Sequence, residues 1–274
     1  MNDATRAETL LKVEDVTLVL GDRVILREVN AEIRNVIRPG LSQGQVVSLL
    51  GPSGIGKTQL FRIMAGLQKP SRGKVLVTEK ALPVEAGMVG VVDQHYTLFA
   101  HRTVGDNLLI AGRQGGLPRA RAEARARELL GRLKLAERWD EWPANLSGGQ
   151  RQRVAIAQQL LCSEHYLLMD EPFSGLDPNM KDEVCELIAE VAALHELTTI
   201  LVITHDIASA ITISDTLWLL GRDPAGEDGK VHAGARVQGV YDLVERGLAW
   251  RPEVQTLPAF RDLSLELRAR FRTL

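Results

Sequence analysis

An α/β fold, with a mostly parallel sheet, an antiparallel β layer and an inserted helical segment, is predicted by three features of the sequence. Continuous apolar runs of strand length (VVSLL, YLLM, TTILVIT) alternate with helical patterns, as strands buried on both faces of a parallel sheet do. Ahead of them, LLKVEDVTLVLG and VILREVNAEIR alternate apolar and polar residues, the mark of an antiparallel layer with one wet face. Between about Arg102 and Leu161 the pattern turns wholly helical.

The chain has 274 residues, of which 45% are hydrophobic and 25% charged, enough for a sizeable core. A formal net charge of -2 gives no sign of a polyanion partner, so no nucleic acid is expected. Cys162 and Cys185 lie in apolar helical surroundings without ligand spacing and read as reduced core residues. The opening MNDATRAETLLK lacks the basic-then-apolar pattern of a signal peptide. No apolar run reaches the roughly 18 residues of a membrane span.

Taken in order, VVSLLG leads into a glycine loop, and TQLFRIMAGL places Leu60, Phe61, Ile63, Met64 and Leu67 at helical spacing. In PRARAEARARELLGRLKL, Pro118 suits a first helical position, and Leu129, Leu130 and Leu133 share one face. Glu123–Arg127 and Glu128–Arg132 stand at i,i+4. The arginines read as a solvated face in preference to a basic docking patch. EVCELIAEVAALH is a further helix, set between YLLMDE and TTILVITHD.

The glycine loop, GPSGIGKT, fits G-x-x-x-x-G-K-[ST] and stands after a strand and before a helix. Gly51, Gly54 and Gly56 let the backbone close on phosphates, together with Pro52, Ser53, Ile55 and Gln59. Lys57 neutralises β/γ oxygens, and Thr58 can ligate Mg²⁺ at a helix N-terminus that favours anions. YLLMDEP brings Asp170 to the C-terminal edge of the sheet, where it can hold Mg²⁺, and Glu171 beside it can orient an attacking water. TTILVITHD delivers His205 to the end of a strand expected to neighbour that of Asp170.

Together these motifs resemble the ATP-binding cassette (ABC) ATPase family: GPSGIGKT, Gln94, LSGGQ, LLMDE, SGLD and His205 follow one another in the family's order from about Leu10 to Leu220. The resemblance implies a P-loop NTPase core with an antiparallel β subdomain and a helical subdomain, about residues 102–161, bearing LSGGQ. About residues 222–274 would be a short C-terminal extension. It also implies why one chain carries two phosphate-binding turns. In this family two cassettes pack head to tail, and Ser147, Gly148, Gly149 and Gln150 of one copy cap the ATP held by the phosphate loop of the other. By the same resemblance Gln94 senses the γ-phosphate and Mg²⁺, Asp177 reaches across the dimer, and His205 is the switch histidine.

DQHYTLFAHRTVGDNL, WPANLSGGQRQRVAIA and DEPFSGLD are similar to importer subunits for polar amino acids or nitrate, sulfonate and taurine. The expected partners are a second copy or a homologous ATPase subunit, transmembrane permease subunits and a substrate-binding protein. The expected place is cytoplasmic, at the inner face of the membrane. The same core serves lipid-trafficking and export complexes; soluble ABC ATPases would carry fused cassettes or long insertions, absent here. Three positions depart from the family pattern. Leu20 stands where an aromatic usually stacks on adenine, the link around Arg34–Gln43 is long, and Gln158-Gln159 replace the common Arg-Ala.

Overall fold

The computed structural model describes residues 5–37, 44–77, 81–93, 96–163, 165–223 and 232–274, with the side chains of 5–7 and 37 left aside. Gln94 and residues 38–43 of the long link therefore lie outside the described residues. The chain opens with β1 (Thr5–Leu20) and β2 (Arg23–Ile37), an antiparallel hairpin closed by a turn in which Gly21 takes φ 59°. Then come β3 (Gln45–Leu50), α1 (Lys57–Met64), β4 (Arg72–Val77), β5 (Leu82–Pro83) and β6 (Gly90–Val92). The helical segment is α2 (Val104–Gln114), α3 (Arg119–Arg132) and α4 (Gly148–Cys162). β7 (Tyr166–Asp170), α5 (Pro178–Ala192), β8 (Thr199–Thr204), α6 (Ile207–Ile213), β9 (Thr216–Gly221), β10 (Arg236–Asp242) and α7 (Pro258–Phe271) complete it.

Two sheets form. One is antiparallel in the order β2-β1-β4-β5; the other runs β10-β9-β3-β8-β7-β6. In the second, β9, β3, β8, β7 and β6 are mutually parallel and β10 joins β9 antiparallel. The parallel strands β3, β8 and β9 are buried along their whole length, as their unbroken apolar runs require. One face of this sheet packs with α1 against the antiparallel layer, through Val47, Leu49, Leu60 and Ile63 on Val16 and Leu26. The other face packs on the helical segment and α5, where Leu129, Leu130 and Leu133 are buried. A smaller cluster joins α6 and α7 to β9.

Several local expectations need correction. Pro118 is the N-cap of α3 rather than its first helical residue, with ψ 146°. Glu123–Arg127 forms at 2.9 Å, but Glu128 turns to Arg125 instead of Arg132. Arg132 donates to the carbonyls of Leu194 and Ala193, capping the end of α5 and joining the helical segment to the sheet's flank. Gln159 accepts the Val91 N–H at 3.1 Å, fastening α4 to the edge strand β6, which gives the Gln at this departure a structural use. No helix among the described residues is long and apolar enough to cross a membrane.

Candidate functional site

The phosphate loop leaves β3 at Leu50 and enters α1 at Lys57. Its glycines are required by space and backbone. A Cβ on Gly51 would stand 2.7 Å from the Leu220 carbonyl oxygen, and Gly56 takes φ 112° with Ile25 and Leu26 of the hairpin pressed on it. The Ile55 side chain is buried in the core, so only its backbone can serve a ligand. Pro52 offers no N–H; its carbonyl, with that of Gly51, accepts from Lys57 Nζ at 3.1 and 2.8 Å. Ser53, Gly54 and Thr58 are exposed, and Gln59 is half-buried.

Asp170 pairs with Ile203 across β7 and β8, so Asp170-Glu171 and Thr204-His205 emerge side by side. Glu171 turns sharply, with φ 48°, while its N–H stays bonded to the Ile203 carbonyl at 2.8 Å. Its carboxylate then faces three partners. Oε1 lies 3.7 Å from Lys57 Nζ; Oε2 lies 2.9 Å from His205 Nδ1 and 3.3 Å from the Thr204 hydroxyl. Lys57 is only 6% exposed, and burial pulls its ammonium below the ordinary lysine range against the attraction of Glu171 and Asp170.

The Asp170 carboxyl is pushed upward, first by burial and then by the neighbouring Glu171, although Lys57 and a hydrogen bond from Thr58 oppose the shift. Its Oδ1 is buried with no hydrogen-bond partner. A buried carboxylate oxygen, a bonded hydroxyl and an unmet need for positive charge suit a hard divalent cation.

A cleft of about 390 Å³ runs from Lys57, Thr58 and Glu171 to Leu20 and Ile25 at the hairpin tip. Leu20 is 44% exposed, and among the described residues no aromatic lines the cleft.

Ser147 to Gln150 lie elsewhere, at the start of α4. Ser147 is its N-cap: its hydroxyl accepts the Gln150 N–H at 3.3 Å while Gln150 Oε1 accepts the Ser147 N–H at 3.0 Å. This capping box is written in the sequence as S-x-x-Q. Gly148 and Gly149 are exposed, have ordinary φ, and a Cβ on either would meet nothing within 4 Å. Nothing in this chain's own described packing asks for glycine there. Asp177 is likewise exposed; its visible contact is as N-cap of α5, accepting the Met180 N–H at 3.1 Å. The structure therefore brings Lys57, Thr58, Asp170, Glu171 and His205 together, with Ser147–Gln150 and Asp177 outside that cluster.

Thr204 was not singled out from the sequence. It is fully buried, touches Glu171 and also accepts the Asp206 N–H at 3.0 Å. Its place just before His205, at the end of a buried strand, was the available signal.

The family profile described as ABC transporter matches residues 35–174. The chain belongs to this family. It is 34% identical over 218 residues to the Fe(3+) ions import ATP-binding protein FbpC of Escherichia coli K12, covering 78% of this chain and 60% of that protein. The sulfate/thiosulfate import ATP-binding protein CysA of Gloeobacter violaceus is 37% identical over 245 residues, covering 86% and 67%. Among solved structures, cbiO1 of Clostridium perfringens, part of the ABC transporter complex cbiONQ, superposes with a TM-score of 0.72 at 25% identity, covering 97% of this chain and 98% of that one. The likeness bears out the nucleotide-binding α/β core with its β layer and helical segment. Against FbpC the chain spans about three fifths of the relative's length.

Proposed function

We propose that this chain is the ATP-hydrolysing subunit of a membrane transporter that imports a small solute. The observation that carries the reading is the Glu171 carboxylate, held over the phosphate loop between Lys57 and His205. A nucleotide triphosphate in the cleft would lay its β and γ phosphates on the backbone of Gly51–Thr58, with Lys57 supplying the positive charge. Thr58 and Asp170 would hold Mg²⁺, with Gln94 a third ligand by family resemblance; the cation supplies charge neutralisation at the phosphates.

Glu171 orients a water against the γ-phosphorus and accepts its proton as the new P–O bond forms. The bond to the bridging oxygen breaks, and ADP leaves with that electron pair. His205, hydrogen-bonded to Glu171, keeps the carboxylate aimed and is placed to meet the γ-phosphate.

The open glycines at the start of α4 support a composite site. Free helix N-terminal N–H groups with no Cβ around them are fit to cap a phosphate that arrives from outside the chain. That chain is a second copy or a homologous subunit, whose Asp177 would approach the same junction. The chain is read as a single nucleotide-binding domain, with residues of about 102–161 as its signature-bearing subdomain and about 222–274 as its C-terminal extension.

The relatives above carry names for ferric iron and sulfate/thiosulfate import, a different set of solutes from the polar amino acid or nitrate, sulfonate and taurine group expected from the sequence. They support import over lipid trafficking or export. Substrate choice would rest with permease and binding-protein partners, which would hold the subunit at the inner face of the membrane.

The test is turnover. Wild-type protein should hydrolyse ATP, and Lys57→Ala should fail to bind nucleotide at all. Glu171→Gln should bind ATP yet turn over about a hundredfold more slowly or worse. Chelation by EDTA should stop hydrolysis. Wild-type turnover in Glu171→Gln would remove Glu171 from its role.

A further inference from the structure

Away from the phosphate loop, a cavity of about 450 Å³ opens where α3, the end of α4 and the segments before β7 and after α5 meet. Arg121 and Arg125 of α3 stand on its wall with His165 and His195. Leu117, Leu160 and Leu161 make part of the lining apolar, and no carboxylate lines it among the described residues. We propose that this cavity binds a small organic anion: a carboxylate or phosphate head held by Arg121, Arg125 and the two imidazoles, and an apolar body against the leucines.

Each part of the lining contributes a stated chemistry. Guanidinium groups offer planar forks that match carboxylate and phosphate oxygens two at a time. Arg125 is now turned to Glu128 at 2.9 Å, but both side chains are 40–50% exposed, and so open a pair is weak enough to yield to a better acceptor. His195 Nδ1 accepts the Leu197 N–H at 3.1 Å, which leaves Nε2–H as the donor for an anion. The His165 ring lies 5.0 Å from that of His195, so the two imidazoles stand side by side on the cavity wall. The volume is that of a small-molecule pocket, apolar in part with a few convergent polar groups, and exceeds what a bare ion needs.

A ligand here would also bridge two bodies of structure. Arg121 and Arg125 belong to the helical segment, whereas His195 follows α5 on the sheet's flank. The same seam is already crossed by Arg132, which caps α5.

The chain has six histidines, few enough to follow by imidazole NMR. The full chain is saturated with a non-hydrolysable ATP analogue and Mg²⁺, so that a phosphate head cannot use the phosphate loop, and phenyl phosphate is titrated in. The expected result is saturable movement of the His165 and His195 resonances, assigned by His165→Gln and His195→Gln, with His205 still. In Arg121→Ala/Arg125→Ala, binding should weaken by about tenfold or more while ATP-analogue binding and circular dichroism stay the same. Inorganic phosphate should bind about tenfold more weakly than phenyl phosphate. The proposal is overturned if no saturable shift occurs, if only His205 moves, or if the double arginine variant binds equally well. Equal affinity for inorganic phosphate would overturn the organic body of the ligand.

Discussion

Phe99→Asp separates docking from folding. A docking groove for a permease helix lined by Tyr96, Leu98 and Phe99 would need all three exposed, and the structure divides them. Tyr96 and Leu98 are partly buried against the main core, whereas Phe99 is 42% exposed. Its backbone is held independently: Asn107, itself fully buried, accepts the Phe99 N–H at 2.8 Å and donates to its carbonyl at 3.2 Å. Full burial of a phenylalanine is worth about 1.5–3 kcal/mol, so losing roughly half of it should cost about 0.8–1.5 kcal/mol. A carboxylate at so open a position stays hydrated and adds no buried-charge penalty. That cost is small beside a domain stability of about 5–15 kcal/mol. Urea denaturation should therefore show a modest fall in midpoint, ATP turnover should be nearly unchanged, and co-purification with a co-expressed permease should be lost. Leu98→Asp, by contrast, should cost several kcal/mol and give insoluble protein. Insoluble Phe99→Asp protein, or a loss above about 4 kcal/mol, would make Phe99 a core residue and refute the argument. Retained permease binding would refute the docking role.

Four further outcomes follow from the geometry. Leu20→Tyr should place a π face at the hairpin tip and tighten ATP by a stacking increment of about 1–3 kcal/mol, read by calorimetry; an unchanged dissociation constant would put the base elsewhere. Gly149→Ala should leave folding and ATP binding intact, since its Cβ meets nothing in this chain, yet slow hydrolysis; normal turnover would remove the signature from the composite site. Ser147→Ala should lower thermal stability by about 1 kcal/mol through loss of the α4 cap. Asp223, hydrogen-bonded first by Gln238 and also by Arg236 and Arg27, titrates at about 2 when folded. A depressed folded value stabilises above the unfolded value of 3.8 and is lost as pH falls through about 2, so Asp223→Asn should flatten acid unfolding across that window; an unchanged profile would contradict it.

Much of the site was readable because strand ends and spacing fix where side chains emerge. An apolar run ending in Asp170-Glu171 and another ending in Thr204-His205 had to deliver their polar residues to the same sheet edge once the strands paired. The β3 strand and its glycine loop were legible for the same reason. What the sequence did not disclose depends on partners distant along the chain. The i,i+4 rule offered Arg132 to Glu128, but the carbonyl ends of α5 compete better. Gln159 reads as a surface glutamine until β6 places the Val91 N–H before it. Tyr96, Leu98 and Phe99 are equally apolar in sequence, and only packing distinguishes the exposed one from the others.

In the composite site proposed above, bound ATP glues two copies through the loop of one and the signature of the other. Light scattering on size-exclusion chromatography of Glu171→Gln tests it directly, with the 30.2-kDa chain run with and without Mg²⁺-ATP. A monomer is expected without nucleotide and a species of twice that mass with it, which Gly149→Ala in the same background abolishes. A Glu171→Gln protein that binds ATP, shown by equilibrium dialysis, yet stays monomeric at saturating nucleotide would contradict the composite site.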